Sequence, residues 1–170
     1  RFIVAEQLKN IDVNQEGEYD YYLADSTEHM GFEWETEFIL NNQFSLAANG
    51  ALVMNYFNDG KSLPNVPSTL FNLSIDYQPI KNGLFFIHWR RIGNMYVDRE
   101  NTEEGMIDPF SVWDMGIKYR WQGLEIMAKV NNVFDKLYST YGYGYNWDGY
   151  KAYYWPGATR NTFINISYQL

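Results

Sequence analysis

Glu33, Glu35 and Glu37 stand at alternate positions in the run GFEWETEF. In an extended chain that spacing puts three carboxylates on one face, about 7 Å apart in each step. Carboxylates so arranged are material for general acid–base catalysis. No nucleophile and no histidine base sits in a recognisable arrangement with them, and the chain has no cysteine. The residues read instead as a solvated wall, its charge balanced by Lys118, Arg120 and Lys129 from other strands. His29 and His88 are isolated and lack the partner spacing of a metal centre. A second acidic group, around Asp98, Glu100, Glu103, Glu104 and Asp108, offers oxygen ligands to a divalent cation. Its spacing is not that of a known calcium loop, so it reads as a hydrated surface loop. Neither catalysis, nor a bound metal, nor a cofactor is expected.

The remaining concentration of chemistry is aromatic. Tyr141, Tyr143, Tyr145, Trp147, Tyr150, Tyr153, Tyr154 and Trp155 crowd one stretch, with glycines among them. Aromatic side chains offer large contact areas at low entropic cost, so a flexible aromatic loop suits ligand capture. The same residues could equally pack on one another and on their surroundings. Both readings stand at this point.

The elements that position these residues are strands. Helical periodicity is nearly absent and period-two alternation almost continuous. Eight strands are expected: a short one at 2–7, then 19–40, 44–57, 67–78, 84–97, 110–121, 124–138 and 159–170. Several reach the roughly 9–11 residues that a tilted strand needs to cross a bilayer. The connections alternate in length. NNQ at 41–43, PIKNG at 79–83 and QG at 122–123 are short, while IDVNQEGE, NDGKSLPNVPS, DRENTEEGMID and TYGYGYNWDGYKAYYWPG are parts of long ones. Tight turns at one end and long loops at the other are the habit of an up-and-down barrel in an outer membrane. Negative mean hydropathy, −0.44, does not argue against this, because such strands show lipid only every second residue. Acidic residues outnumber basic ones, 21 to 13, which argues against a nucleic-acid partner.

Aromatic placement suggests which face meets lipid. Phe38, Phe44, Tyr77, Phe85, Tyr119, Trp121 and Tyr168 lie on the apolar face near the short-turn ends, as an interfacial girdle would. Trp113, eight residues before Trp121, would stand roughly 20 Å higher, close to the height of the apolar band. Arg91 falls in the apolar register; it is assigned to the interface, with Gly93 a candidate bulge just after it. The final run TFINISYQL alternates in the same way, and its apolar side is expected to meet lipid.

The string VNNVFDKLY at 130–138, the run YWPGATRNTFINISYQL at 154–170 and GFEWE at 31–35 resemble the carboxy-terminal part of TonB-dependent outer-membrane receptors. NVPSTLFNLSIDYQP and RIGNMYVDRENT fit the same pattern of strand and loop. The resemblance implies an all-β, antiparallel up-and-down transmembrane β-barrel, with residues 1–170 as the last eight strands of a 22-stranded barrel. The plug and the earlier strands would lie outside the chain. It further implies energy-coupled import of a scarce nutrient, such as a ferric siderophore, haem or cobalamin, across the outer membrane of a Gram-negative bacterium. Its partners would be outer-membrane lipid, the TonB complex acting through the plug, the barrel-assembly machinery and a small-molecule or metal-chelate ligand. Two departures accompany it: Leu170 stands where the family usually ends in an aromatic, and the chain opens at Arg1, inside a strand, as a fragment would. The alternative is a self-contained eight-stranded outer-membrane barrel with a structural or adhesive role. Against it stands the shortness of the first strand. A barrel enzyme and a soluble lipocalin-like carrier are remoter rivals.

Overall fold

The structure is a computed structural model that describes the backbone of residues 2–12 and 19–169, and the side chains of 26–169. Eight strands form one antiparallel sheet: β1 (Phe2–Asp12), β2 (Tyr19–Ile39), β3 (Phe44–Phe57), β4 (Thr69–Ile80), β5 (Gly83–Ile92), β8 (Phe110–Trp121), β9 (Leu124–Asn131) and β12 (Asn161–Tyr168). Each pairs with its neighbour in chain order within the sheet, so the topology is a plain up-and-down meander. Two small ribbons stand in the long connections: β6 (Met95–Tyr96) with β7 (Met106–Ile107), and β10 (Ser139–Asn146) with β11 (Tyr150–Pro156). The described residues contain no helix.

The short turns follow from their residues. Gln122 and Gly123 both take positive φ, 45° and 84°, as a two-residue hairpin turn requires, and Trp121 pairs with Leu124 across it. At the first short turn the Asn41 side-chain oxygen accepts from the Gln43 and Phe44 N–H groups, at 2.8 and 3.0 Å. The expected five-residue turn at 79–83 is tighter than that. Ile80 pairs with Gly83, leaving Lys81 and Asn82 at the tip, and the register slips between Tyr77 and Ile80. The irregularity lies there and not at Gly93, where β5 has already ended.

Other boundaries differ for physical reasons. β1 runs through Asp12, five residues beyond the expected end, because β2 extends far enough to pair with it along its whole length. The shortness of the first strand therefore falls as an argument against a self-contained barrel. The expected strand 84–97 breaks after Ile92, and Met95–Tyr96 turns away to form the ribbon with Met106–Ile107. The expected strand 124–138 stops at Asn131, because Asn132 and Asp135 adopt φ of 51° and 52° and turn the chain.

The register sorts side chains into two faces. One row runs Phe44, Tyr77, Phe85, Ile117, Ala128 and Ile164 across six strands. Above it, Trp89 meets Trp113, ring centres 6.0 Å apart. This apolar face is open: Phe38, Trp121 and Ile166 remain 55, 57 and 66 % exposed. The opposite face carries Glu33, Glu35, Glu37, Asn49, Asn72, Asp114 and Lys129 among others. A soluble sheet covers its apolar side, and here nothing among the described residues does. The expected balance of the three glutamates fails. Lys118 and Arg120 both pair with Glu125, at 2.9 and 2.6 Å, and Lys129 pairs with Asp114 at 3.0 Å. Their strands lie four and five places from β2 in the sheet, which at about 4.8 Å per strand is too far for contact.

β1 and β12 form the two edges of the sheet and do not pair with each other, so the barrel is not closed by these strands. Every residue of β12 is exposed.

Candidate ligand-capturing surface

The three long connections among the described residues assemble at one end of the sheet; the expected loop at 13–18 lies outside the described residues. A small buried cluster of Met95, Val97 and Ile107 holds them, with Ala152 of β11 packed against it. Three polar side chains then stitch loop to loop. Asn65, in a left-handed conformation (φ 58°), uses its amide as a strand partner: Nδ2 donates to the Gly142 carbonyl at 2.9 Å and Oδ1 accepts from the Gly142 N–H at 3.0 Å. Asn101 (φ 55°) does the same to Ser62, accepting at 2.6 Å and donating at 2.9 Å. Asp98, 7 % exposed, accepts from the Thr102 hydroxyl at 2.8 Å and the Tyr150 hydroxyl at 2.7 Å.

The acidic loop is therefore not simply a hydrated surface. Asp98 is its buried hub, while Glu100, Glu103, Glu104 and Asp108 remain at the solvent side. Lys61 pairs with Glu100, and Arg99 with Asp59 at 2.8 Å. The Arg99 hydrogen bond holds the Asp59 carboxyl below its usual range. The Arg99 guanidinium also lies over the Phe57 ring, 3.9 Å from its centre. No group of acidic or histidine side chains able to hold a metal occurs among the described residues. His29 is satisfied by Asn55 and Thr27 at 2.6 and 2.9 Å, and His88 packs against Phe86.

The aromatic stretch is a hairpin of two paired strands, not an irregular loop. In YGYGYN every second residue is glycine, and the two sets face opposite ways. The glycine face lies down on the cluster. A Cβ on Gly142 would stand 2.6 Å from Val97 Cγ1, and one on Gly144 would collide with the Tyr150 ring, so only glycine fits. The other face presents Tyr141, Tyr143, Tyr145, Tyr153 and Trp155 as a continuous ladder. Tyr143 stacks on Tyr153 at 5.2 Å, Tyr145 on Tyr153 at 5.9 Å, and Trp155 meets both Tyr141 and Tyr143 at 5.3 and 5.6 Å. All five rings remain exposed.

The eight aromatics thus divide. Five form the ladder, and Trp147 stands at the exposed hairpin tip. Tyr150 and Tyr154 belong to the inner face; their hydroxyls donate to Asp98 and to the Glu104 carbonyl. Burial, reinforced by the Asp98 charge, pushes Tyr150 up to about 12, and burial likewise raises Tyr154. Tyr150 and Tyr154 thus pack inward as the second sequence reading expects, while the five ladder rings and Trp147 stay open to solvent.

The turn after β9 fixes the hairpin's root. Asn132 is 2 % exposed. Its Nδ2 donates to the Lys136 and Ala158 carbonyls at 2.9 and 3.1 Å, and its Oδ1 accepts from the Lys136 N–H at 2.9 Å. Its own N–H donates to Asp114 at 2.9 Å. Asp135 then accepts from the Arg160 N–H at 2.8 Å, joining the turn to the start of β12.

An apolar outer face, a polar inner face and long loops gathered at one end define the wall and mouth of an outer-membrane type of β-barrel. A family model for the TonB dependent receptor-like β-barrel matches residues 2–133, about three quarters of the chain. The chain belongs to that family. Its members are outer-membrane receptors and transporters of Gram-negative bacteria that interact with TonB, not enzymes.

Among solved structures the chain is similar to the copper transporter OprC, with a TM-score of 0.76 and 16 % identity, covering 98 % of this chain and 26 % of that one. The siderophore receptor PiuA from Acinetobacter baumannii gives 0.74 and 16 %, covering 98 % and 25 %. The ferric yersiniabactin uptake receptor FyuA from Yersinia pestis gives 0.72 and 20 %, covering 86 % and 24 %. At these identities the likeness is one of fold, and the chain spans about a quarter of each protein's length. No curated protein sequence matches the chain.

Proposed function

We propose that residues 1–170 form the carboxy-terminal strands and part of the extracellular mouth of a TonB-dependent receptor that imports a scarce nutrient such as a ferric siderophore, haem or cobalamin. Energy would come from the TonB complex acting through a plug outside these residues. Phe38, Phe44, Tyr77, Phe85, Tyr119, Trp121 and Tyr168 would form the inner interfacial girdle against outer-membrane lipid, with Trp113 at the upper boundary. The barrel-assembly machinery would insert the strands. The aromatic ladder would meet the ligand.

The observation that carries this reading is the ladder itself: five exposed rings on a strand-paired hairpin docked on a buried cluster. Rings already ordered lose little entropy on binding. The test is uptake by cells bearing the full receptor with Tyr143→Ala and Trp155→Ala combined. The half-saturating nutrient concentration should rise about tenfold or more, with receptor abundance unchanged. Unaltered uptake would remove the ladder from the ligand's path.

A further inference from the structure

Tyrosine is the most abundant aromatic residue of the chain, with fifteen copies, and there is no cysteine. Among the described residues the close tyrosine–tyrosine ring pairs all fall in one hairpin: Tyr143 with Tyr153, Tyr145 with Tyr153, and Tyr143 with Tyr145. Tyr143 and Tyr153 are direct partners across β10 and β11. Their rings lie 13° from parallel with centres 5.2 Å apart, whereas the diagonal Tyr145–Tyr153 pair stands at 5.9 Å. Both members of the direct pair are open to solvent, 43 and 47 % exposed. The other two tyrosines of β11, Tyr150 and Tyr154, turn the opposite way and donate their hydroxyls to Asp98 and the Glu104 carbonyl.

Such a pair has a chemistry beyond contact. A phenol yields one electron and its hydroxyl proton to a strong oxidant, and the radical left behind reacts readily with a second of its kind. The thiol that commonly takes up oxidation first is absent from this chain, and the nearby thioether of Met95 is buried. Two phenols held side by side meet at a high effective concentration, which no pair of tyrosines scattered over a surface enjoys. Directly opposed residues hold their Cβ atoms about 4.5–5.5 Å apart, so rotation of the two exposed side chains brings the ring edges together without disturbing the strands.

We propose that Tyr143 and Tyr153 form a site of oxidative cross-linking, where hydrogen peroxide acting through a peroxidase joins them as dityrosine. Each phenol gives up one electron and one proton, and the peroxide takes both electrons and both protons to become two waters. The two phenoxyl radicals join through a carbon ortho to each oxygen. The hydrogen on each of those carbons then moves to the oxygen beside it, restoring both phenols. The product ties β10 to β11 covalently, so that a chain break at the hairpin tip no longer separates the two strands. The inference does not depend on what the receptor imports.

The test treats the full-length receptor in detergent with hydrogen peroxide and a peroxidase, after ordinary and isotope-labelled protein have been mixed in equal parts. Peptide mass spectrometry should find the peptide of Tyr143 joined to that of Tyr153, two hydrogen atoms lighter than their sum, with no labelled peptide joined to an unlabelled one. Protease cleavage at 146–149 should then leave the halves joined in denaturant. Tyr153→Phe keeps the ring and removes the phenol, and the link across the hairpin should vanish. Tyr143→Phe should lower its yield several-fold, leaving the slower route through Tyr145. No link between 143 and 153 under conditions that oxidise other tyrosines of the receptor overturns the proposal. So does a link that joins labelled to unlabelled chains, or one across the hairpin that survives Tyr153→Phe.

Discussion

Asn132 shows how much a single side chain can organise. It sits buried in a left-handed conformation, where asparagine is tolerated far better than most residues, and three of its hydrogen bonds span the turn. Asn132→Ala leaves two carbonyls and an N–H unmet, and the loss should be about 3 kcal/mol. Asn132→Gly should cost roughly 1 kcal/mol less, because it relieves the backbone strain but not the lost bonds. Denaturant unfolding of the refolded receptor, followed by tryptophan fluorescence, would separate the two; equal costs would mean that the conformation is unimportant. Tyr150 offers a pH test. Its pKa is raised from 10.0 to about 12, so the folded hairpin holds that proton longer than the unfolded chain does. Its contribution is whole below pH 10 and drains as pH climbs toward 12. Ultraviolet titration of Tyr150→Phe should lose one late-titrating phenol, and the variant's stability should fall less steeply over that interval. The sequence displayed both residues but not these roles. A motif names Asn132 without saying that it ties together three backbone segments, and no spacing rule brings Tyr150 to an aspartate 52 positions away.

At the scale of elements, alternation made the sheet legible. All eight of its strands were readable from side-chain period, because one face had to be apolar throughout. What stayed hidden was where strands leave the sheet. β9 ends at the left-handed Asn132 and β5 gives way to the ribbon at Met95–Tyr96, while the side chains beyond continue a plausible pattern. The hairpin was hidden for another reason: glycine at every second position lowers strand propensity, so YGYGY reads as loop until a platform is present for those glycines to lie on. Ion pairing was equally illegible, since choosing Glu125 and Asp114 over the three glutamates depends on distance across the sheet. The platform predicts a sharp effect. Gly142→Val should force the hairpin off Val97, so that protease cuts near 146–149 much faster than in the wild type. The unfolding midpoint of the barrel should hardly move. Unchanged cleavage would mean that the hairpin does not depend on this docking.

At the scale of the molecule, the two unpaired edges decide between readings. Backbone groups facing hydrocarbon must find partners, so β1 and β12 cannot both stay open in a bilayer. The carboxy-terminal reading expects strands from elsewhere in the polypeptide to cover both. Intact mass spectrometry of the parent protein from its membrane should then give several times 20.1 kDa, and residues 1–170 expressed alone should form oligomers in detergent. A stable monomer of that size, compact until heated, would favour the self-contained barrel instead. The two-faced hairpin has a consequence on a longer timescale. Residues that build the platform and residues that meet the outside alternate along the same short strands, so either set can change without the other. Substitutions at 141, 143, 145, 153 and 155 can alter what the ladder contacts while 142, 144 and 152 stay put and the docking is kept. The hairpin can change its exposed face by substitution alone, with no insertion or refolding needed.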